Sequence, residues 1–313
     1  MALDTTGPGD GGAIDISVCV PVYNEEDSVG PLHAAIVAAL EPTGRRFEMV
    51  MVDDGSRDST VARLAEIGKT DPRLVIVRFQ RNFGQTAAMM AGIDHARGRY
   101  LVTMDGDLQN DPADIPMMLA KLEEGYDLVV GWRINRQDKF LSRKLPSKIA
   151  NWLIGKVTGL PIRDNGCSLK VYRAEVIKRV PLYSDMHRFI PAMTTPMGAR
   201  IAEVGVRHHA RRFGSSKYGL SRIFKVLLDL IAIKSLLLFA RRPLMRFAVL
   251  GGLAAILAVV VVILSIGGQA DGASQVVGMA VAGLFGSLAV FLVLLGMVTG
   301  VMFQTEDASG GTR

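Results

Sequence analysis

Apolar and polar positions alternate on two different scales along this chain. Between residues 14 and 131, short apolar runs are separated by longer stretches whose apolar positions recur at helical spacing. Residues 16–20 form the first β-rich run, which stops at Pro21. Residues 47–52 form the second and stop at Asp53-Asp54-Gly55-Ser56. The third covers 74–77, the fourth 100–104 up to Asp105, and the fifth 127–131. The stretches between them predict helices over about 27–40, then through about Gly68 with Asp58 or Ser59 as cap, over 85–96, and after Asp111-Pro112. This β-α-β-α rhythm predicts an α/β fold with a doubly wound, mostly parallel sheet.

Beyond residue 243 the scale changes. Residues 247–266 and 276–303 are apolar and carry no charge. Each run reaches the roughly 20 residues a helix needs to cross a bilayer. The polar, glycine-rich stretch 267–272 between them reads as a hairpin loop, so the pattern predicts two transmembrane helices within 244–303. Ahead of them, Ile223, Val226, Leu227, Leu230, Ile231, Ile233 and Leu237 cluster on one helical face, interrupted by Arg222, Lys225, Asp229 and Lys234. Residues 219–243 therefore read as interfacial amphipathic helices, with a core helix of the preceding domain as the alternative. Residues 1–13 are small, polar and glycine-rich, without the apolar stretch of a signal peptide, and read as a disordered lead. The expected organisation is a catalytic domain over 14–218, interfacial helices, the hairpin, and a tail over 304–313.

Charge adds an orientation. The chain carries 36 Lys and Arg against 30 Asp and Glu, a net charge of +6. Arg207, Arg211, Arg212, Lys217, Arg222, Lys225, Lys234, Arg241, Arg242 and Arg246 all precede the first apolar run, and the hairpin loop has none. By the positive-inside rule the large N-terminal domain and the tail face the cytoplasm, at the cell's inner (plasma) membrane, in a multi-pass protein. The basic excess next to the spans fits anionic lipid; no zinc-finger spacing or aromatic RNA-binding motif points to nucleic acid. Cys19 and Cys167, the chain's two cysteines, lie far apart in sequence and are expected to be reduced.

In doubly wound sheets ligands bind beyond the carboxyl ends of the strands. Four polar clusters fall there: Pro21-Val22-Tyr23-Asn24-Glu25, Asp53-Asp54-Gly55-Ser56, Asp105-Gly106-Asp107 and Gly131-Trp132-Arg133. Any one would pass for a turn; four together point to a site. The G-x-G-x-x-G fingerprint is absent after the first strand, which argues against a dehydrogenase. Asp105, Asp107 and the Gln109 carbonyl offer oxygens at alternating positions, the ligand type that magnesium or manganese prefers.

With these motifs the sequence resembles glycosyltransferase family 2 with the GT-A fold, and within it the polyprenyl-phosphate glycosyltransferases. The matching segments, in order, are 21–25, 52–56, Arg81-Asn82-Phe83-Gly84-Gln85, 105–109, 131–133, Asp164-Asn165-Gly166-Cys167, and the basic stretch 211–219. The resemblance implies that Asp105 and Asp107, with Gln109 as third ligand, hold Mg2+ or Mn2+ and the diphosphate of a nucleotide-sugar. It implies that Pro21, Tyr23, Glu25 and Asp54 surround the nucleotide, with Asp53 supporting Asp54, and that Gly106 lies against the donor. Arg81, Asn82, Gly84 and Gln85 could contact the nucleotide or cap the helix they open. Arg133 is implied to face the donor diphosphate. Arg211, Arg212, Ser216 and Lys217 are implied to face the phosphate of a polyprenyl phosphate acceptor.

The implied reaction is inverting displacement at the anomeric carbon. Asp164 would position the acceptor or act as a weak base, or simply form a turn. His187, His208 and His209 lack convincing metal-ligand spacing and read as packing or surface residues. The sequence departs from the commonest pattern at Gly106, where Ala is frequent, and at Cys167-Ser168-Leu169-Lys170, which replaces a Gly-Phe-Lys type run. A family 2 transferase with another lipid or glycan acceptor, or a non-catalytic membrane scaffold, stands as the alternative. Gly278, Ala282 and Gly286 form a small-residue face that permits close packing within the hairpin or between subunits of a homo-oligomer.

Overall fold

The computed structural model describes residues 13–134, 152, 154–156, 158–180, 186–210, 243–267 and 272–309. The chain falls into two compact units, 1–230 and 231–313. Residues 1–12 of the lead expected over 1–13, the basic stretch after 210, and residues 219–242 of the interfacial segment expected over 219–243 lie outside the described residues.

The first unit is built on a seven-stranded sheet. Its strands are β1 (Ile16–Val22), β2 (Phe47–Asp53), β3 (Leu74–Arg78), β4 (Tyr100–Thr103), β5 (Leu128–Arg133), β6 (Lys170–Arg173) and β7 (Ile201–Val206). The order is β3-β2-β1-β4-β6-β5-β7. β1 pairs in parallel with β2 and β4, β2 with β3, and β5 with β7, while β6 runs antiparallel between β4 and β5. Because β6 is antiparallel to both of its neighbours, β4 and β5 run in the same direction. The carboxyl ends of β1, β2, β4 and β5 therefore share one edge. β6 and β7 lie beyond the predicted strands; β6 is too short to show a period, and its Lys170 interrupts the apolar signal.

Helices α1 (Val29–Leu40), α2 (Thr60–Thr70), α3 (Gln85–His95) and α4 (Ile115–Glu123) match the predicted helical stretches to within a turn. All seven residues of β1 and of β2 are buried, as expected for strands covered on both faces. Val29, Leu32, Ile36 and Leu40 of α1 and Ile115, Met118, Leu119 and Leu122 of α4 pack on one face, against Ile16, Val18, Val20, Val22, Met49 and Met51. α3 lies on the other face, where a Cβ at Gly92 would sit 3.2 Å from Cys19 Cβ and 3.4 Å from Val52 Cγ2. Asp58, not Ser59, caps α2, accepting from Thr60 N at 3.0 Å. Pro21 is tolerated inside a central strand because the β1–β4 ladder ends at Cys19↔Thr103, so Pro21 lies beyond it.

One glycine is fixed by the site. Gly55 has φ 72°, and a Cβ there would sit 2.5 Å from the Arg81 carbonyl carbon. Gly55→Ala is expected to cost about 2–3 kcal/mol and to push the 53–56 turn away from residues 81–82. Denaturant unfolding of the variant, compared with wild type, checks this; an unchanged midpoint contradicts it.

The second unit contains α7 (Pro243–Gly267) and α8 (Gly272–Ser309), numbered after the short helices α5 (Ala174–Ile177) and α6 (Ile190–Thr194). The two long helices form an antiparallel hairpin. A Cβ at Gly251 would lie 3.0 Å from Ala289 O, and one at Gly296 2.8 Å from Phe247 Cβ. Gly278 packs on Ser265 and Ala282 is buried, whereas Gly286 meets nothing. α8 continues through Ser309, past the predicted end at 303. Leu244–Gly267 and Gly272–Gly300 are long and apolar enough to cross a membrane, with mean hydropathy 3.0 and 2.5. Ile256, Ile263, Leu264, Val276 and Leu284 are each more than 60% exposed, unlike core helices of a soluble protein. This surface is unfavourable in water and is stable against lipid.

Candidate functional site

The strand ends converge on a cleft of about 240 Å³, lined by Pro21, Val22, Tyr23, Glu25, Asp54, Asn82, Gly84, Gln85, Asp105, Gly106 and Asp107. Most of the donor residues named from the sequence thus line one cavity. Its first wall joins the loops after β1 and β2. Asn24, at φ 54°, donates its N–H to Ser56 Oγ (2.8 Å) and accepts from Arg57 N (2.9 Å). Glu25 N donates to Thr60 Oγ1 at 2.9 Å, and Ser28 Oγ donates to the Glu25 carboxylate at 2.7 Å.

Asp53 and Asp54 have different roles. Asp53 is fully buried, outside the cleft lining, and accepts from Ser56 N at 3.2 Å, which closes the turn. Asp54 accepts from Phe83 N at 2.7 Å and Gly84 N at 2.9 Å. It fixes the entry to α3, whose N-cap Gly84 adopts φ 98°. Burial raises Asp54 above the ordinary carboxylate value, against the two backbone donors.

The second wall is the turn after β4. Asp105 Oδ1 accepts from Gln85 Nε2 at 2.6 Å, so the first residue of α3 is tied to the turn. Leu108 stands at φ 60°, and Gln109 N donates back to Asp107 Oδ1 at 3.2 Å. Gly106 is required by close approach: a Cβ would lie 2.9 Å from Val22 Cγ1. Burial first, then the neighbouring Asp107 carboxylate, raises Asp105 above its ordinary value. A divalent cation would fit at this cleft edge, where it would offset the repulsion that Asp107 exerts on Asp105. Among the described residues no group of three or more His, Cys, Asp or Glu gathers as a metal cage. Gln109 is engaged elsewhere: its carbonyl accepts from His209 N at 2.8 Å and its Nε2 donates to His209 O at 3.5 Å.

Arg133 and Asp164 meet each other. Arg133 Nε and Nη2 donate to Asp164 Oδ2 and Oδ1 at 2.6 and 2.9 Å, a bidentate pair with side chains 14% and 8% exposed. The loop reaches Arg133 because Gly131 permits close approach, with a Cβ there falling 2.9 Å from Leu169 O. Lys170 is 2% exposed, and its Nζ donates to Cys167 O at 2.5 Å. Burial lowers Lys170 from its ordinary value, against the charges of Cys167, Asp105 and Asp164. Cys19 and Cys167 are buried, free thiols, and burial pushes the Cys167 thiol up to about 11.

His187 is a packing residue, 7% exposed, bonded through Nδ1 to Thr86 Oγ1 at 2.8 Å. His209 bonds Asp111 Oδ2 at 3.2 Å, and Arg207 pairs with Asp111 and Asp114, clamping the exit of β7 to the turn after Asp107. Arg211, Arg212, Ser216 and Lys217 lie outside the described residues. Lys170 is buried where the sequence offers only one signal for it, a lysine directly ahead of the β-rich Val171-Tyr172.

The cleft thus carries paired aspartates at the strand ends of an α/β sheet. A family model described as glycosyl transferase family 2 matches residues 17–181. A dodecaprenyl-phosphate galacturonate synthase of Rhizobium johnstonii is 51% identical over 243 residues, covering 76% of this chain and 72% of the relative. An undecaprenyl-phosphate 4-deoxy-4-formamido-L-arabinose transferase of Shewanella sediminis is 38% identical over 239 residues, covering 76% and 70%. Among solved structures, glucosyl-3-phosphoglycerate synthase of Mycobacterium tuberculosis with Mn2+ and UDP-glucose matches with TM-score 0.54 at 18% identity, over 70% of this chain and 77% of that one. Mannosyl-3-phosphoglycerate synthase of Rubrobacter xylanophilus matches with TM-score 0.56 at 17% identity, over 73% and 75%. At these identities the structures speak for the fold alone. The chain belongs to glycosyl transferase family 2 and is a GT-A glycosyltransferase with an apolar helical hairpin that marks a membrane protein.

Proposed function

We propose that this protein transfers a sugar from a UDP- or GDP-sugar to a polyprenyl phosphate of the undecaprenyl type at the cytoplasmic face of the inner membrane, with inversion at the anomeric carbon. The observation that carries this reading is the cleft joining Asp54, Gln85, Asp105 and Asp107, in a chain that also bears a membrane hairpin. The two relatives described above are named for polyprenyl-phosphate products or acceptors, which favours a lipid phosphate as acceptor here.

Asp105 and Asp107 would hold Mg2+ or Mn2+, which supplies positive charge to the departing diphosphate. The wall of Tyr23, Glu25 and Asp54 would orient the nucleotide, and Gln85 keeps Asp105 aimed at the cleft. An oxygen of the lipid phosphate bonds to the anomeric carbon as that carbon's bond to the diphosphate oxygen breaks, and the electron pair leaves with the diphosphate. A phosphate monoester has a second pKa near ~6 and is ionised at neutral pH, so it needs little base catalysis. Asp164 would then serve through Arg133, fixing a guanidinium at the β5 end. Arg211, Arg212, Ser216 and Lys217 remain the residues proposed for the acceptor phosphate.

A donor panel tests the reading. Full-length protein in detergent, given Mn2+ or Mg2+, undecaprenyl phosphate and labelled UDP- and GDP-sugars including a UDP-hexuronate, is expected to make a chloroform-soluble glycolipid. Chelator should stop its formation. No glycolipid with any donor, in the presence of protein that binds nucleotide, would sink the choice of acceptor.

A further inference from the structure

Resting on the reading of Asp105 and Asp107 as cation ligands, we propose that Arg207 and His209, at the exit of β7, are positioning residues for that cation: they hold the turn 107–109 in the strained conformation that presents Asp107 to the cleft. The strain lies in the backbone of Leu108. Among the described residues, only Asn24 and Leu108 are non-glycine residues at positive φ, 54° and 60°, and both stand in loops that wall the cleft. Asparagine enters that region readily, whereas a bulky leucine does so only where its surroundings impose it.

Part of what imposes it is local. Gln109 N donates to Asp107 Oδ1 at 3.2 Å, and the Leu108 side chain packs against the core. The rest comes from far along the chain. His209 N donates to Gln109 O at 2.8 Å, and Asn110 forms an antiparallel bridge with His208. Asn110 is held a second time, by its Nδ2 donating to Ser168 Oγ at 2.7 Å, with both residues buried.

A bridge of two residues is too short to persist alone. Side chains on either side of it supply the anchors. Arg207 N and Nε donate to Asp114 Oδ2 and Oδ1 at 2.7 and 2.9 Å, and Arg207 Nη1 lies 3.2 Å from Asp111 Oδ2. His209 Nε2 lies 3.2 Å from the same Asp111 oxygen. The Arg207 side chain is 56% exposed, so its charge alone contributes little, but that of Asp114 is 9% exposed and takes its bonds from Arg207. β4 fixes the near end of the turn, and the exit of β7 fixes the far end. With both ends fixed the turn keeps a torsion it would otherwise relax from, and the Asp107 carboxylate is aimed before any cation arrives.

The test is equilibrium Mn2+ binding to the full-length protein in detergent, read by electron paramagnetic resonance of free Mn2+, with and without UDP, beside thermal unfolding. Arg207→Ala is expected to weaken Mn2+ binding by about tenfold or more, the usual effect of removing a group that orients a metal ligand. Arg207→Lys should recover part of the loss, because an ammonium lacks the planar fork that engages both Asp111 and Asp114. His209→Pro removes the N–H that Gln109 O accepts and should weaken binding to a similar extent, while His209→Ala keeps that N–H and should cost less. Asp114→Asn, which loosens the Arg207 tie at constant volume, takes the place of Arg207→Ala if that variant does not fold. A purely structural role would lower the unfolding midpoint and leave the Mn2+ affinity of the folded protein unchanged. Folded Arg207→Ala or Asp114→Asn, together with His209→Pro, binding Mn2+ within about twofold of wild type would therefore overturn the proposal. Wild-type protein that binds no Mn2+, alone or with UDP, would instead overturn the cation reading on which it rests.

Discussion

Asp107→Ala is expected to lower sugar transfer by about a hundredfold to a thousandfold while the protein stays folded. Asp107 is 7% exposed at the rim of the cleft, and its Oδ1 accepts from Gln109 N at 3.2 Å. Its removal takes one of the two carboxylates that would hold the cation and relieves the repulsion that raises Asp105. Stability should therefore change little, while cation-dependent nucleotide binding falls. The measurements are transfer rate across a Mn2+ titration, nucleotide affinity with and without Mn2+, and thermal unfolding. A variant that keeps more than about a tenth of wild-type transfer at saturating Mn2+ would show that Asp107 does not hold the cation.

Arg133→Ala is expected to cost about 3 kcal/mol of stability and to abolish transfer, because it strands the buried Asp164 carboxylate. The pair is bidentate, at 2.6 and 2.9 Å, and both side chains are largely buried. Removing both charges with Arg133→Met and Asp164→Leu together should recover most of the stability, since no uncompensated ion remains. It should not recover transfer if the guanidinium faces the reacting groups. Denaturant unfolding and transfer assays on the two single variants and the double variant separate the cases. A double variant with near-normal transfer would reduce the pair to a structural strut.

The residues behind these two predictions were not equally legible. Asp105 and Asp107 follow an apolar run, and a run of that length ends at the edge of a sheet. Parallel strands carry all their carboxyl ends to one side, so local pattern was enough to gather Pro21, Tyr23, Glu25, Asp54, Gln85, Asp105 and Asp107. Arg133 and Asp164 were each visible as motif residues, but their pairing spans 31 positions and no local period encodes it. Asp53 and Gln109 show the limit from the other side. Both stand in motifs, and the sequence does not show that Asp53 closes its own turn or that Gln109 is bonded to His209, 100 positions away.

By itself the sequence determined the parallel core of the sheet through β5, the edge on which ligands bind, and an apolar hairpin. These follow from hydrophobic periodicity and from where charged residues are missing, which are properties of neighbouring positions. Only the tertiary structure decided the rest. It inserted β6 antiparallel between β4 and β5, a strand of four residues with no period to read. That insertion buries Lys170. It set Arg133 on Asp164, and through a hydrogen bond spanning 101 positions it fixed His187 to the first turn of α3. Contacts of that range are selected by the packing of whole elements, which a reading of neighbours along the chain does not contain.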